Sequence, residues 1–214
     1  MSRGILLVIS GFSGAGKGTV IGELLHGENK REDCCLSVSA TSRTPRQGET
    51  EGVSYYFKTA EVFEQMIAED KFLEYTKYVG NYYGTPREYV MEKLEAGINV
   101  ILEIEVDGAM QVKSKFNEAV TIFITPPNAE ELEKRLRGRQ TESEEIIQKR
   151  LLKAAEEALS IPHYDYLIIN DKVADCVSTI SDLIEMEKRR VVNQSEFVAE
   201  LQEDMKQLAD REKK

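Results

Sequence analysis

Five consecutive apolar residues, Ile5–Ile9, run into Gly11-Phe12-Ser13-Gly14-Ala15-Gly16-Lys17, and a helical pattern opens directly behind them. No other stretch of the chain limits its fold so tightly. A short apolar run bounded by glycine reads as a buried strand, here Ile5–Ser10. Val20, Ile21, Leu24 and Leu25 then share one helical face from Lys17 to Leu25, and Gly27 can end the helix. Strand, glycine-rich loop and helix in this order let backbone N–H groups converge on one anion, because no Cβ blocks the approach. The helix N-terminus adds partial positive charge, and Lys17 adds a mobile full one for the β and γ phosphates. The spacing G-x-x-x-x-G-K in this context points to ATP or GTP binding, with a glycine-rich turn and a surface lysine as the bland alternative. The candidate ATP site is Gly11, Phe12, Ser13, Gly14, Ala15, Gly16, Lys17, Gly18 and Thr19.

The residue after the loop lysine usually carries a hydroxyl for magnesium. Here it is Gly18, followed by Thr19. Gly-Lys-Gly-Thr resembles nucleoside monophosphate kinases such as adenylate kinase. The resemblance implies Mg2+ held by phosphates, water and a carboxylate rather than by Thr19.

Further along, Asn99–Glu105, Ala119–Ile124 and Tyr166–Ile169 read as buried strands separated by helices. That alternation means a parallel sheet covered on both faces. Asn128 with Glu131, and Thr141 with Glu144, have capping-box spacing. A Thr-, Ser-, Gly- and Tyr-rich stretch near Ser37–Arg87 breaks the rhythm and reads as an inserted lobe, with some β structure and a short helix near Glu61–Glu69. Around Arg135–Arg150 a charged helix–turn–helix is expected. From Ser195 the tail is an amphipathic helix, with Val198, Leu201, Met205 and Leu208 at 3-4-3 spacing. Its apolar edge either packs on the domain's own surface or forms a self-association seam.

The chain has 214 residues and a net charge of −10, so it has no global field for gathering nucleic acid polymers or anionic membrane. Small phosphates are another matter, since Arg43, Arg46 and Lys58 outweigh the acids of residues 37–58 locally. Vicinal Cys34 and Cys35, with Cys176, form neither a disulfide framework nor a metal-ligand spacing, which suits a reducing compartment. No apolar run reaches the length of a membrane span or signal core. A soluble, cytoplasmic protein is expected.

Ser37-Val-Ser-Ala-Thr-Ser-Arg-Thr-Pro-Arg-Gln-Gly-Glu49, Gly52-Val-Ser-Tyr-Tyr-Phe57, Phe72-Leu-Glu74 and Gly80-Asn-Tyr-Tyr-Gly-Thr85 resemble the nucleotide-recognition segments of guanylate kinases. Leu102-Glu-Ile-Glu105, Arg135-Leu-Arg-Gly-Arg139, Lys149-Arg150-Leu151 and Ile169-Asn170-Asp171 extend the resemblance over about residues 3–188. It implies an α/β P-loop nucleoside monophosphate kinase fold. The core would be 3–36, 94–134 and 155–188, with a GMP-binding lobe of mixed β structure at 37–90. A helical lid would be 135–150 and a helical extension 189–214.

By that resemblance Arg43, Arg46, Tyr55 and Tyr83 bind the GMP phosphate and Glu49 belongs to the same site. Glu74 takes guanine N1–H and N2–H, and Ser39 and Thr85 serve guanine O6. The residues make physical sense alone. Two arginines with few neighbours to pair with can clamp one phosphate, or else are solvated surface charges. A carboxylate in the apolar context Phe72-Leu73-Glu74-Tyr75 would reject adenine by roughly 10⁴-fold, if it is not merely a surface charge at a helix end. Thr85-Pro86-Arg87-Glu88 is also a capping box with Pro at the first helical position, so the Thr85 hydroxyl can cap, contact guanine, or do both.

Glu103 and Glu105 would point to one side of a strand end, above which a crevice is expected. Glu103 is assigned to GMP, or else pairs with a buried arginine. Glu105 stands where the family usually has Asp, near magnesium through water, and Asp107 replaces the usual Gln. Arg135 and Arg139, one turn apart, and Arg150 either pair with nearby glutamates or close over the transferring phosphoryl group. Together with Lys17 and Arg43 they form the catalytic set. Asn170 matches a position near adenine. The implied reaction passes the γ-phosphoryl of ATP to GMP, giving ADP and GDP. Its nucleophile is a phosphate oxygen already ionised at neutral pH, so no general base is needed. The alternatives are a kinase for another nucleoside monophosphate and an inert guanylate-kinase-like interaction module.

Overall fold

A computed structural model of the chain describes residues 3–28, 30–138 and 143–212. In chain order the strands are β1 (Leu6–Gly11), β2 (Cys34–Leu36), β3 (Ala40–Thr41), β4 (Tyr56–Phe57), β5 (Phe72–Tyr78), β6 (Asn81–Pro86), β7 (Asn99–Glu103), β8 (Val120–Thr125) and β9 (Tyr166–Ile169). The helices are α1 (Lys17–His26), α2 (Ala60–Ala68), α3 (Arg87–Glu95), α4 (Val106–Lys115), α5 (Ala129–Gly138), α6 (Glu144–Ala158), α7 (Val173–Lys188) and α8 (Ser195–Glu212).

The core is a parallel sheet in the order β2-β7-β1-β8-β9. Leu7 and Ile9 face one way, against Val20 and Leu24 of α1 and Ile180 and Ile184 of α7. Leu6 and Val8 face the other, against Val90 and Leu94 of α3 and Ala109 and Val112 of α4. Helices on both faces explain why β1 reads as an unbroken apolar run. The chain leaves β1 toward β2 but leaves β7 toward β8, so a crevice opens beyond the carboxyl ends of β1 and β7.

The sheet has one more strand than the sequence reading expects. β2 is a three-residue edge strand of partly exposed residues, too short to carry a pattern. β7 ends at Glu103, so Glu103 and Glu105 are not alternate residues of one strand. The chain turns there to bury Val106, and Glu105 becomes the residue that precedes α4. Thr85 does not cap α3 either: that position belongs to Pro86, and Thr85 stays inside β6.

The inserted lobe is a second, mixed sheet in the order β4-β3-β6-β5, with β3 and β4 parallel and the other pairs antiparallel. α2 seals it with Phe63, whose ring stacks on Phe72 at 4.3 Å and on Tyr82 at 5.3 Å. α4 fastens this lobe to the core. The Gln111 side chain accepts the Tyr75 N–H at 3.2 Å and donates to the Tyr75 carbonyl at 3.1 Å.

α5 and α6 are the expected charged pair of helices. The Asn128 side chain accepts the Glu131 N–H at 2.8 Å and so starts α5. Arg137, paired with Glu133 within α5, ties the two helices together through Glu144. The cap expected at Thr141 lies outside the described residues, and the residue preceding α6 is Ser143. α8 follows a short turn at Val191–Gln194; of its expected apolar edge Leu201, Met205 and Leu208 are exposed and Val198 is half-buried, so most of that edge does not pack on the domain. Among the described residues no helix is long and apolar enough to cross a membrane.

Candidate active site

The loop between β1 and α1 offers backbone, not side chains. Phe12 turns its ring into the core, edge-on to Phe123 at 5.0 Å, and Ala15 is fully buried. Gly16 stands before α1 with no side chain capping the helix, which leaves the first turn's N–H groups for an anion. Its φ of +88° is a left-handed conformation that glycine adopts at little cost. The Lys17 ammonium donates to the Gly11 and Phe12 carbonyls at 2.6 and 3.2 Å, at the mouth of the loop. Burial lowers its pKa, while Glu103, Glu105 and Glu157 pull it back up. Gly18 and Thr19 are exposed at the start of the helix.

In the lobe, Arg43, Glu49, Tyr55 and Tyr83 come together. The expectation that Arg43 has few neighbours to pair with fails. Its guanidinium forks onto both Glu49 oxygens at 2.8 and 3.0 Å and lies 5.5 Å from the Tyr55 ring centre. Arg43, helped by the Arg46 N–H, holds the Glu49 carboxyl down at about 2. Tyr55 and Tyr83 meet edge-on at 6.1 Å. The Arg46 side chain stands exposed, while its N–H donates to Glu49 at 2.7 Å. One arginine is thus pre-oriented by a carboxylate and the other extends into solvent.

Glu74 is not a surface charge. It lies on β5, is 5% exposed, and accepts the Thr85 hydroxyl at 2.7 Å. That bond is what the Thr85 side chain does instead of capping. Burial raises the Glu74 pKa, and the Thr85 hydrogen bonds oppose the shift. The second Glu74 oxygen rests over Gly108 of α4, where a Cβ would come within 2.9 Å of it. Glu74 therefore sits at the seam between lobe and core. Ser39 directly precedes β3, two strands across the lobe sheet from β5, and its carbonyl accepts the Tyr56 N–H at 2.9 Å.

At the sheet end, Glu103 opens onto the crevice and faces Lys17 rather than an arginine. Desolvation by the surrounding protein is the larger influence and raises its carboxyl, Lys17 lowers it, and Glu105 raises it further. Glu105 accepts the Lys153 ammonium at 2.5 Å.

Helices α5 and α6 meet the loop directly. Leu132 and Leu136 of α5 pack beneath Gly14, and Arg150 of α6 donates to the Ser13 hydroxyl at 2.5 Å. Arg135 is half-buried and pairs with Glu131 at 2.9 Å. Arg139 lies outside the described residues. Asn170 is buried and donates to the Ala15 carbonyl at 2.8 Å, which ties its amide to the loop rather than leaving it open for a base.

Sequence reasoning missed Lys153, Glu157 and Gly108. Lys153 bridges Glu105 and Glu157, and both it and Glu157 bear on Lys17. Residues 150, 153 and 157 recur at helical spacing on the face that carries Arg150, so periodicity could have found them. Gly108 gives no local signal, because its neighbour Glu74 is far away in sequence.

A phosphate loop opening the first helix of a parallel sheet, a mixed lobe and a helical pair over the loop define a P-loop nucleoside monophosphate kinase fold. The family model described as guanylate kinase matches residues 3–187. The chain is 50% identical over 185 residues to a guanylate kinase of Listeria monocytogenes, covering 86% of this chain and 89% of that one. It is 51% identical to one of Streptococcus agalactiae (88% and 90% covered). It is 48% identical to one of Caldanaerobacter subterraneus (94% and 97%). The crystal structure of guanylate kinase from Anaplasma phagocytophilum superposes with a TM-score of 0.67 at 32% identity, over 88% of each chain. The chain belongs to the guanylate kinase family.

Proposed function

We propose that this chain transfers the γ-phosphoryl group of ATP to GMP, giving ADP and GDP. The observation that carries the reading is Glu74: a buried carboxylate, braced by Thr85 and given room by Gly108, beside the crevice into which Lys17 faces. A carboxylate there accepts guanine N1–H and N2–H, whereas adenine offers a lone pair at N1 and no donor at C2. Ser39 and Thr85 complete the base site. Arg43, Arg46, Tyr55 and Tyr83 hold the GMP phosphate, with Glu49 orienting Arg43, and Glu103 lines the same space.

ATP lies with its phosphates on the loop from Gly11 to Thr19. The acceptor oxygen is already anionic, so the protein supplies position and charge rather than a base. Lys17 neutralises the developing charge on the phosphates. Arg135, Arg139 and Arg150 do the same from the lid, whose closure excludes water. Arg150 already reaches the loop through Ser13.

Magnesium fits a supporting place here. Gly18 brings no hydroxyl, and among the described residues no set of three acidic, histidine or cysteine side chains is placed to hold a metal. The donor set suits an ion that arrives on the nucleotide, with Glu105 reaching it through water. When bound, the ion would neutralise phosphate charge.

An intact loop and arginine set speak against an inert interaction module. We further propose a cytoplasmic location, supported by three free cysteines, and self-association through α8 of a second copy, supported by exposed Leu201, Met205 and Leu208, which with half-buried Val198 keep 3-4-3 spacing. Nucleic acid polymers and membranes are not partners in this reading. ADP release with GMP against AMP tests the activity. GMP is expected to turn over far faster, and equal or faster turnover of AMP rejects the guanine assignment. Light scattering of the full chain, compared with a chain ending before Ser195, tests the seam.

A further inference from the structure

Asn170 follows β9 at the carboxyl edge of the sheet and is 3% exposed. Its Nδ2 donates to the Ala15 carbonyl at 2.8 Å, and its Oδ1 accepts the Cys176 thiol at 3.5 Å. Burial raises the Cys176 pKa, so the thiol keeps the proton it donates. The same thiol also lies 3.6 Å from the Ile169 carbonyl, so the Ala15 contact is what sets which way the amide faces. Flipped, the amide would oppose its oxygen to the Ala15 oxygen, two acceptors without a proton between them.

A trans peptide points its C=O and N–H in opposite directions. No cis peptide occurs among the described residues. Anchoring the Ala15 oxygen on Asn170 therefore turns the Gly16 N–H away from Asn170, toward the concave side of the loop. Gly16 pays for this approach in its own composition: a Cβ there would come 2.5 Å from Asn170 Nδ2. The position excludes a side chain for lack of room as well as for its backbone angle.

We infer that Asn170 is a positioning residue of the phosphate loop, acting through the Ala15 carbonyl to hold the Gly16 N–H toward the nucleotide's phosphates. The inference rests on the loop binding ATP, as proposed above. It separates Asn170 from the adenine contact that the sequence resemblance implies, and a ligand without a base tells the two apart.

The probe is inorganic tripolyphosphate, measured by calorimetry beside ATP and GMP. Asn170→Asp keeps the shape and replaces the donor with a carboxylate oxygen facing the Ala15 carbonyl. Affinity for tripolyphosphate and for ATP is expected to fall by a similar factor, roughly tenfold or more for a lost buried donor. GMP affinity should stay within about twofold. Acidification should return part of the loss relative to the unsubstituted protein, because a protonated carboxyl can donate to the Ala15 carbonyl. Should the Asp variant not fold, Asn170→Ala removes the donor without adding charge and carries the same expectation, apart from the recovery in acid. A loss confined to ATP overturns the inference in favour of an adenine contact. Unchanged affinity for both phosphates overturns it, and so does an equal loss for GMP, which marks a general structural role. Failure of the unsubstituted protein to bind either ATP or tripolyphosphate rejects the phosphate-loop reading itself, and this inference with it.

Discussion

The phosphate loop and the surroundings of Glu74 are both polar places in an apolar frame, and they are built in opposite ways. The loop is seven consecutive residues whose working groups are backbone N–H donors, with Phe12 and Ala15 turned into the core as anchors. The Glu74 pocket draws single side chains or their absence from β5, β6 and α4. Backbone donors arrive with the chain and only need aiming. A buried carboxylate must be desolvated, braced and given room, and each of those comes from a different element. The loop should therefore fail only when its charge or its aim is removed. The pocket should respond to substitutions at residues that never touch the ligand.

The largest expected effect is on the loop side. Lys17→Ala should lower kcat by about 10²–10³-fold, the scale for removing one group that stabilises developing charge. GMP affinity should be kept in calorimetry, and a matching loss of it would break the division into two sites. Next comes Glu74→Gln, which should cut the preference for GMP over AMP in kcat/KM by about 10²-fold.

The Glu74 pair of proteins also has a pH signature. The carboxyl is raised by burial, and the guanine contact proposed for it requires the ionised form, which accepts two donors. The KM for GMP should therefore climb on acidification from a pH above the ordinary carboxylate range, and the Gln variant should lack that limb. For stability the sign reverses. A carboxyl raised by folding favours the folded chain while protonated, and this contribution is lost as pH rises through its folded value. At neutral pH the Gln variant should melt no lower than the parent in calorimetric scans, because readiness for guanine is held against stability.

Gly108→Ala is a smaller and more diagnostic change. Crowding of about 1–2 kcal/mol against the Glu74 oxygen should raise the KM for GMP roughly tenfold and leave the KM for ATP alone. An unchanged KM for GMP would mean that Glu74 moves freely, so that its pocket is as tolerant as a surface. Smallest of all is Arg137→Ala. Arg137 ties α5 to α6 on the exposed side through Glu144. Both KM values should hold within about twofold and Tm should move little, since exposed ion pairs contribute little.

Much of this was legible along the chain. The apolar run Ile5–Ile9 and the loop behind it announce β1 and α1, and the capping pair Asn128 and Glu131 marks the start of α5. The quoted lobe motifs locate Arg43, Glu49, Tyr55 and Tyr83, which the fold does gather. Where local reasoning failed, a distant neighbour had the stronger claim. The Thr85 hydroxyl was free to cap α3 in sequence, but Glu74 binds it first. Glu105 continued a strand in sequence, but burying Val106 turns the chain. Glu49 lies only six residues beyond Arg43, but pairing at that spacing depends on how the intervening turn closes, which local sequence does not show.

By itself the sequence determined the phosphate loop, the alternation that makes a parallel sheet, and the residue types of the nucleotide sites, since short-range periodicity and backbone chemistry are written in consecutive residues. Only the tertiary structure decided which oxygen each hydroxyl serves, what a side chain at positions 16 and 108 would meet, and that Asn170 turns inward to the loop. Those depend on atoms brought within about 3 Å across long stretches of chain, and no local pattern encodes a distance of that kind.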